Sequence, residues 1–323
     1  MKDAELYDGG PETGLSSVSR KFCIAMATVA LLPGFSSNLL AAEKLRVAFP
    51  ALAPGLSPSW VTYEKGIWKK NGVDVELILL SGGSRTIAAL VSGSVQVVIG
   101  SDVGVTEGIL KGLNLIRLGV TTNSLGSSLL ALQTIHSVED LKGKTLGISL
   151  GRDNSYARLA KVLMDHGVNP NDDVKLLRIG GGEAGRRASL KAKIIQATML
   201  FPPLDLVGSR EGLKILLKLD VPTLAGGVNT SAAFLEQNRP LLVKFLRGYM
   251  EGLYYMATHK GESLKVFAKY FKNPDLATMA YLYDDIYPRI ERELRPNPAS
   301  VRYLLDIIAL DDPRARQLSE KDH

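Results

Sequence analysis

The stretch from Val73 to Gly100, VDVELILLSGGSRTIAALVSGSVQVVIG, places a helix-like segment between two runs rich in β-branched and apolar residues. Val73 to Leu79 and Val97 to Ile99 read as strands, bounded by Gly and Ser. Ser84 to Ser92 has the spacing of a helix and stops at Gly93, a C-terminal signal. Strand, helix and strand in under thirty residues form a βαβ unit, which points to an open, mostly parallel sheet.

The same alternation extends in both directions. Further strands are expected at Leu45 to Phe49, Leu115 to Gly119, Leu129 to Leu132, Thr145 to Ser149, Val174 to Ile179 and Ala197 to Leu200, the spacing of repeated βαβ units. Ser59 to Lys70 reads as a helix stopped by Asn71-Gly72, and Ser155 to His166 as one stopped by Gly167. Ser137-Val138-Glu139-Asp140 resembles a capping box. Beyond Thr230 the pattern turns helical: Ala232 to Gln237, Pro240 to Thr258, Glu262 to Phe271, Pro274 to Tyr283 and Pro298 to Ile308. The sequence shows no internal repeat. The fold class is α/β with a helical C-terminal tail.

A chain of 323 residues suggests two domains, each able to bury a core, with a cleft between them. The Gly, Ser, Thr and Asn content near Thr121 to Leu130 and Pro222 to Thr230 suits hinge crossings. With 46% apolar residues, disorder is excluded. A net charge of +6, scattered along the chain, argues against nucleic acid as a partner. The only cysteine is Cys23, and His136, His166, His259 and His323 lie far apart, so no metal signature and no cofactor motif is expected.

Arg20-Lys21 precede an uncharged run, Phe22 to Phe35, ending in small residues at Ala41-Ala42. This reads as a secretory signal over about 18–42, too short to span a bilayer and interrupted by Pro33-Gly34. Cys23 lies inside the apolar run, so a soluble periplasmic protein is expected rather than a lipoprotein.

Three turns carry small polar residues ahead of a helix: Ser81-Gly82-Gly83-Ser84-Arg85, Gly100-Ser101-Asp102-Val103-Gly104, and Ser149 to Ser155. In an open parallel sheet such turns lie at the carboxyl edge, where helix N-termini present unpaired N–H groups. Gly147-Ile148-Ser149-Leu150-Gly151 also matches G-x-S-x-G, which keeps a secreted hydrolase using Ser149 as a competing reading. Gly180 to Gly185 formally matches G-x-G-x-x-G, yet Asp205 lies past Pro202-Pro203, so a Gly-rich turn is the better reading. Trp60, Tyr63 and Trp68 read as core packing. Phe201-Pro202-Pro203 either faces the cleft or starts the next helix.

Several stretches together resemble the exported solute-binding proteins of ABC importers, in the group serving nitrate, sulfonates, taurine and thiamine-precursor pyrimidines. They are YEKGIWKKNGVDVE (Tyr63 to Glu76), Ser81 to Ser84 with Ala88 to Leu90, LGVTTNSL (Leu118 to Leu125), SVEDLKGKTLGIS (Ser137 to Ser149), Phe201-Pro202-Pro203 and Leu241 to Gly252. The resemblance implies two Rossmann-like lobes joined by two hinge crossings, a type 2 periplasmic-binding-protein fold. The expected divisions are 1–42 for the N-terminal extension and signal, 43–125 for the first part of lobe 1, 126–225 for lobe 2, and 226–323 for the return to lobe 1 and the C-terminal helices. It further implies a monomer that captures a small polar, anionic or heterocyclic solute without catalysis and delivers it to an inner-membrane ABC permease. A ligand sensor without transport is the other alternative. Ligand-binding positions carried over by motif are Ser81, Gly82, Ser84, Ser101, Thr121, Asn123, Ser149, Asn154, Ser155, Phe201 and Pro202. Lys193, Gln196 and Phe201 depart from the group's usual pattern. An enzymatic branch of the same fold relies on a Cys-rich iron motif, and no Cys follows Cys23.

Overall fold

Strand β1 (Glu43–Phe49) runs along the middle of a sheet because its residues Leu45, Val47, Ala48 and Phe49 are buried between layers of helix. The computed structural model describes residues 43–150, 153–309 and 312–317. The expected export signal lies outside the described residues. Between β1 and β2 (Val73–Leu79) the chain forms α1 (Ser57–Glu64) and α2 (Ile67–Lys70). The single helix expected over Ser59 to Lys70 is broken because Gly66 adopts φ 64°, a left-handed conformation that costs glycine little. Then come α3 (Gly83–Val91), β3 (Val97–Ile99), α4 (Asp102–Leu110) and β4 (Leu115–Gly119).

The chain leaves this sheet on β5 (Thr122–Ala131) and builds β6 (Thr145–Ile148), α5 (Asn154–Asp165), β7 (Lys175–Arg178), α6 (Gly182–Lys191), β8 (Ala197–Leu200) and α7 (Leu204–Arg210). It returns through β9 (Lys214–Ala225) and β10 (Val228–Ser231) to α8 (Ala232–Thr258), α9 (Lys260–Phe271), α10 (Leu276–Ile286) and α11 (Pro298–Ile308). Helix α8 merges the two helices expected there across a kink at Asn238, φ −130°, two residues before Pro240.

Two five-stranded sheets result, ordered β2-β1-β3-β10-β4 and β7-β6-β8-β5-β9. In the first, β1 is parallel to β2 and β3 while β10 is antiparallel to β3 and β4. In the second, β6 is parallel to β7 and β8 while β5 is antiparallel to β8 and β9. The two topologies are the same, a structural repeat that the sequence itself does not display. Gln96 Oε1 accepts from Arg46 N at 3.0 Å, and Gln196 Oε1 accepts from Thr145 N at 2.9 Å, so each sheet closes its central pair with the same amide. The repeat escapes sequence inspection because packing constrains burial more tightly than residue identity.

Each lobe has its own core. Around the first, Trp68 stacks on Phe245 with ring centroids 5.0 Å apart, Trp68 Nε1 donates to Phe245 O at 3.0 Å, and Trp60 stacks on Tyr270 at 4.8 Å. Both indoles are buried, as the sequence reading expects, but Tyr63, read with them as core, is 41% exposed on the outer face of α1. Helix α8 lies so close to α1 that a Cβ on Gly252 would stand 1.8 Å from Thr62 Oγ1. The second core gathers Leu129, Leu146, Leu163 and Met199 between its sheet and α5.

Candidate functional site

The carboxyl ends of β1 and β8 contribute to one apolar cluster beside the crossing. Phe49 and Phe201 belong to one apolar cluster with Leu56, Leu125 and Ala225. Gly55 packs against Ala225, Leu125 and Thr122, so the edges of both sheets adjoin the two strands that connect them.

On the first lobe's edge, Gly82 starts α3 at φ 96° without a side-chain cap, and Ser81, Gly82, Ser84 and Arg85 are exposed. Ser101 precedes α4 at φ 60°, unusual for a residue with a Cβ. Its Oγ lies 2.7 Å from buried Thr86 Oγ1, which fixes one turn against the other. Beneath them Asp102 and Arg117 form a buried pair, Oδ1 to Nη2 3.7 Å. Arg117 also donates to Asp102 O at 3.2 Å and to Asn229 Oδ1 at 3.3 Å. Asn229 Nδ2 donates to Gly227 O at 2.8 Å and Gly100 O at 3.0 Å, which ties the returning chain to this edge. Burial raises the Asp102 carboxyl above its usual range, and Arg117 opposes the shift.

On the second lobe's edge, Ser149 follows β6 and Ser155 stands in the first turn of α5, with 3.4 Å between their Oγ atoms. Asp153 caps α5: its Oδ1 accepts from Ser155 N at 3.0 Å, Tyr156 N at 3.1 Å and Ser155 Oγ at 2.6 Å. Arg186, from α6, is 2% exposed and donates to Ser149 Oγ at 2.6 Å and Met199 O at 3.4 Å. Glu183, in the first turn of α6, accepts from Phe201 N at 2.8 Å. Burial pushes its carboxyl up to about 7 despite the opposing Arg186. Arg158, 1% exposed, sets its guanidinium carbon 5.0 Å from the centre of the Phe201 ring and donates to Leu125 O at 2.8 Å and Ser127 Oγ at 2.9 Å. Burial lowers the Arg158 guanidinium to about 10.

The structure therefore brings together Ser149, Ser155 and Phe201 on one edge and Ser81, Gly82, Ser84 and Ser101 on the other. Asn154 is the first residue of α5. Pro202 is buried beside Phe201, and Pro203 stands directly before α7. Thr121 and Asn123 have structural work instead. The Thr121 hydroxyl lies 3.2 to 3.3 Å from the carbonyl oxygens of Gly55, Ala225 and Gly226. The Asn123 amide donates to Glu291 Oε2 at 3.2 Å and Arg295 O at 2.8 Å, and accepts from Asn297 N at 2.7 Å. Both side chains fasten the crossing strand. A cavity of 410 Å³ between β5 and α10, which shares Pro202 with the second lobe's edge, is also lined by Asp205, Asp220, Tyr281, Asp285 and Arg289.

Arg158, Arg186 and Glu183 are absent from the set expected by motif. Arg186 stands four residues before core Leu190, so its place on the buried face of α6 is the signal that could have marked it. Among the described residues, the Ser149 hydroxyl meets Arg186 and Ser155 rather than a histidine. His166 instead contacts Val162 O at the far end of α5, about 16 Å along the axis from Ser155. The G-x-G-x-x-G pattern is the start of α6 itself, and Asp205 accepts from Ser128 Oγ at 2.7 Å and Tyr281 OH at 3.1 Å.

Among solved structures, this fold is similar to the periplasmic aliphatic sulphonate-binding protein SsuA of Escherichia coli. The TM-score is 0.68 at 19% identity, over 83% of this chain and 91% of that one. It is also similar to the alkanesulfonate-binding protein SsuA of Xanthomonas axonopodis pv. citri bound to MOPS, with TM-score 0.66 and 20% identity over 86% and 94% of the two chains. These likenesses show the two-lobed periplasmic-binding-protein fold. In sequence, a riboflavin-binding protein of Chloroflexus aurantiacus is 31% identical over 118 residues, 36% of this chain and 33% of that protein. The match thus spans about a third of that relative's own length. Residues 53–263, well over half of the chain, match one family throughout. The chain belongs to the NMT1/THI5-like family.

Proposed function

We propose that this protein is the exported, monomeric solute-binding component of an ABC import system, capturing a small polar solute between its lobes and delivering it to an inner-membrane permease. The observation that carries this reading is the convergence of two carboxyl edges on one pair of crossing strands, with Phe49 and Phe201 in a shared cluster. Ligands of open α/β sheets bind at such edges, and long paired crossings allow one lobe to close on the other. Lobe 1 comprises 43–125 and 226–323, and lobe 2 comprises 126–225. Solute contacts come from Ser81, Gly82, Ser84 and Ser101 on one side and Ser149, Asn154, Ser155, Phe201 and Pro202 on the other. The sulfonate-binding and riboflavin-binding relatives support a sulfonate or a planar heterocycle as the solute class. No helix among the described residues is long and apolar enough to cross a membrane.

The test is the thermal midpoint of the purified protein against sulfonates, nitrate, pyrimidines and riboflavin. Saturation at one hundred times Kd stabilises the folded state by about 2.7 kcal/mol. A shift with one class, lost in Ser84→Trp while the unliganded midpoint holds, is the expected result. Ester turnover abolished by Ser149→Ala would instead favour the hydrolase.

A further inference from the structure

The two edges differ in the charge they place at their helix starts. Helix α3 opens with no side-chain cap and no acid in its first turn, and the Asp102 that opens α4 is paired with buried Arg117. Helix α5 opens on Asp153, which already occupies Ser155 N and Tyr156 N, and α6 carries Glu183 in its first turn. A helix N-terminus attracts an anion through unpaired N–H groups and a positive dipole end. At α5 those donors are taken, and an incoming anion would meet Asp153 and Glu183 as like charges. Glu183 is held at the end of β8 by Phe201 N. Beside it Arg186, fully buried and with its Nε unpartnered, fixes Ser149. The second lobe's edge is thus built from rigidly held groups whose free acceptors belong to carboxylates.

Building on the solute-binding reading, we propose that Glu183 is the specificity-determining residue of the second lobe, selecting solutes that present an N–H donor, with the acceptor-rich or anionic end of the solute at α3. A carboxylate hydrogen bond to such a donor is charge-assisted and strong. The groups facing Glu183 are Arg186 from its own helix, the Phe201 N–H from β8, and the charges of Asp153 and Asp205. Glu183 ionises at about 7, so preference for the donor grows as pH rises through neutrality.

Calorimetry on the whole protein with matched pairs tests this: taurine against isethionate, and riboflavin against N3-methylriboflavin. The N–H member is expected to bind about tenfold tighter, with Glu183→Gln erasing most of that ratio while the other member is unaffected. The variant should also flatten the dependence of the ratio on pH between about 6 and 8, which a merely structural loss would not do. Binding with equal ratios in both proteins, or a preference for the member without that N–H, overturns the selection and leaves the solute-binding reading standing. Failure of all four probes to bind the folded protein overturns both.

Discussion

Residues 91–100 and 191–200 share one pattern of exposure position for position, yet almost none of their residues agree. Leu90 and Leu190 are buried alike, as are Val95 and Ile195, and Gln96 and Gln196 make the same backbone bond. The positions that reach the carboxyl edge have diverged. Thr86 of the first lobe corresponds to Arg186 of the second, Gly83 to Glu183, and Ser101 to Phe201. The two lobes share the contacts that build them and differ in the chemistry at their rims. The first rim offers hydroxyls and the uncapped start of α3, and the second adds to its own serines the charges of Glu183 and Arg186 and the Phe201 ring.

The lobes also treat buried charge differently, and substitutions can break that contrast. Asp102 and Arg117 neutralise each other at 3 to 4% side-chain exposure, whereas Arg158 answers to carbonyl and hydroxyl oxygens and the Phe201 ring. Asp102→Ala strands the Arg117 cation and is expected to cost about 3–5 kcal/mol of folding free energy in urea titrations. Arg158→Met removes a cation together with its desolvation penalty and orphans two acceptors, a loss of about 1–2 kcal/mol. Equal losses in the two variants would mean that Arg158 has a counter-charge as strong as Arg117's.

What the sequence revealed follows the same division. Strands such as Val73–Leu79, Val97–Ile99 and Leu115–Gly119 were legible to the residue because their apolar runs are bounded by Gly and Asn. Strand β9 was not, because Lys218, Asp220 and Pro222 interrupt its apolar pattern. Pro222 is tolerated there since β9 lies at the edge of its sheet. Most of β5 was hidden for a related reason: Thr122 to Ser128 is polar in sequence and gains its strand from pairing with β9. At the site, serines and glycines before helices were visible as a local pattern. Arg158 and Arg186 were not, since a helix cation reads as a surface residue unless its spacing to core positions such as Leu190 is weighed. Asn123 stood in a family-like motif, but its partners lie more than 160 residues away at Glu291 and Arg295, a distance no local pattern spans.

Smaller effects sharpen the comparison. Gln96→Ala and Gln196→Ala each remove a side-chain acceptor for a strand N–H, and losses of about 1 kcal/mol, equal within error, are expected. A clear inequality would show that the repeat is geometric but not energetic. The finest difference lies three residues earlier, where both lobes need a left-handed turn: Gly93 has φ 72° and Lys193 φ 61°. For a residue with a Cβ that conformation costs about 1–2 kcal/mol, partly offset because glycine loses more chain entropy on folding. Lys193→Gly should therefore raise stability by about 0.5–1 kcal/mol, and Gly93→Lys should lower it by a similar amount. The two substitutions exchange the residues of equivalent, exposed turns, so opposite changes of matching size locate the effect in the backbone. A Lys193→Gly protein no more stable than the parent would mean that the lysine side chain contributes a contact of its own, and that the second lobe has adapted to what the first avoids with glycine.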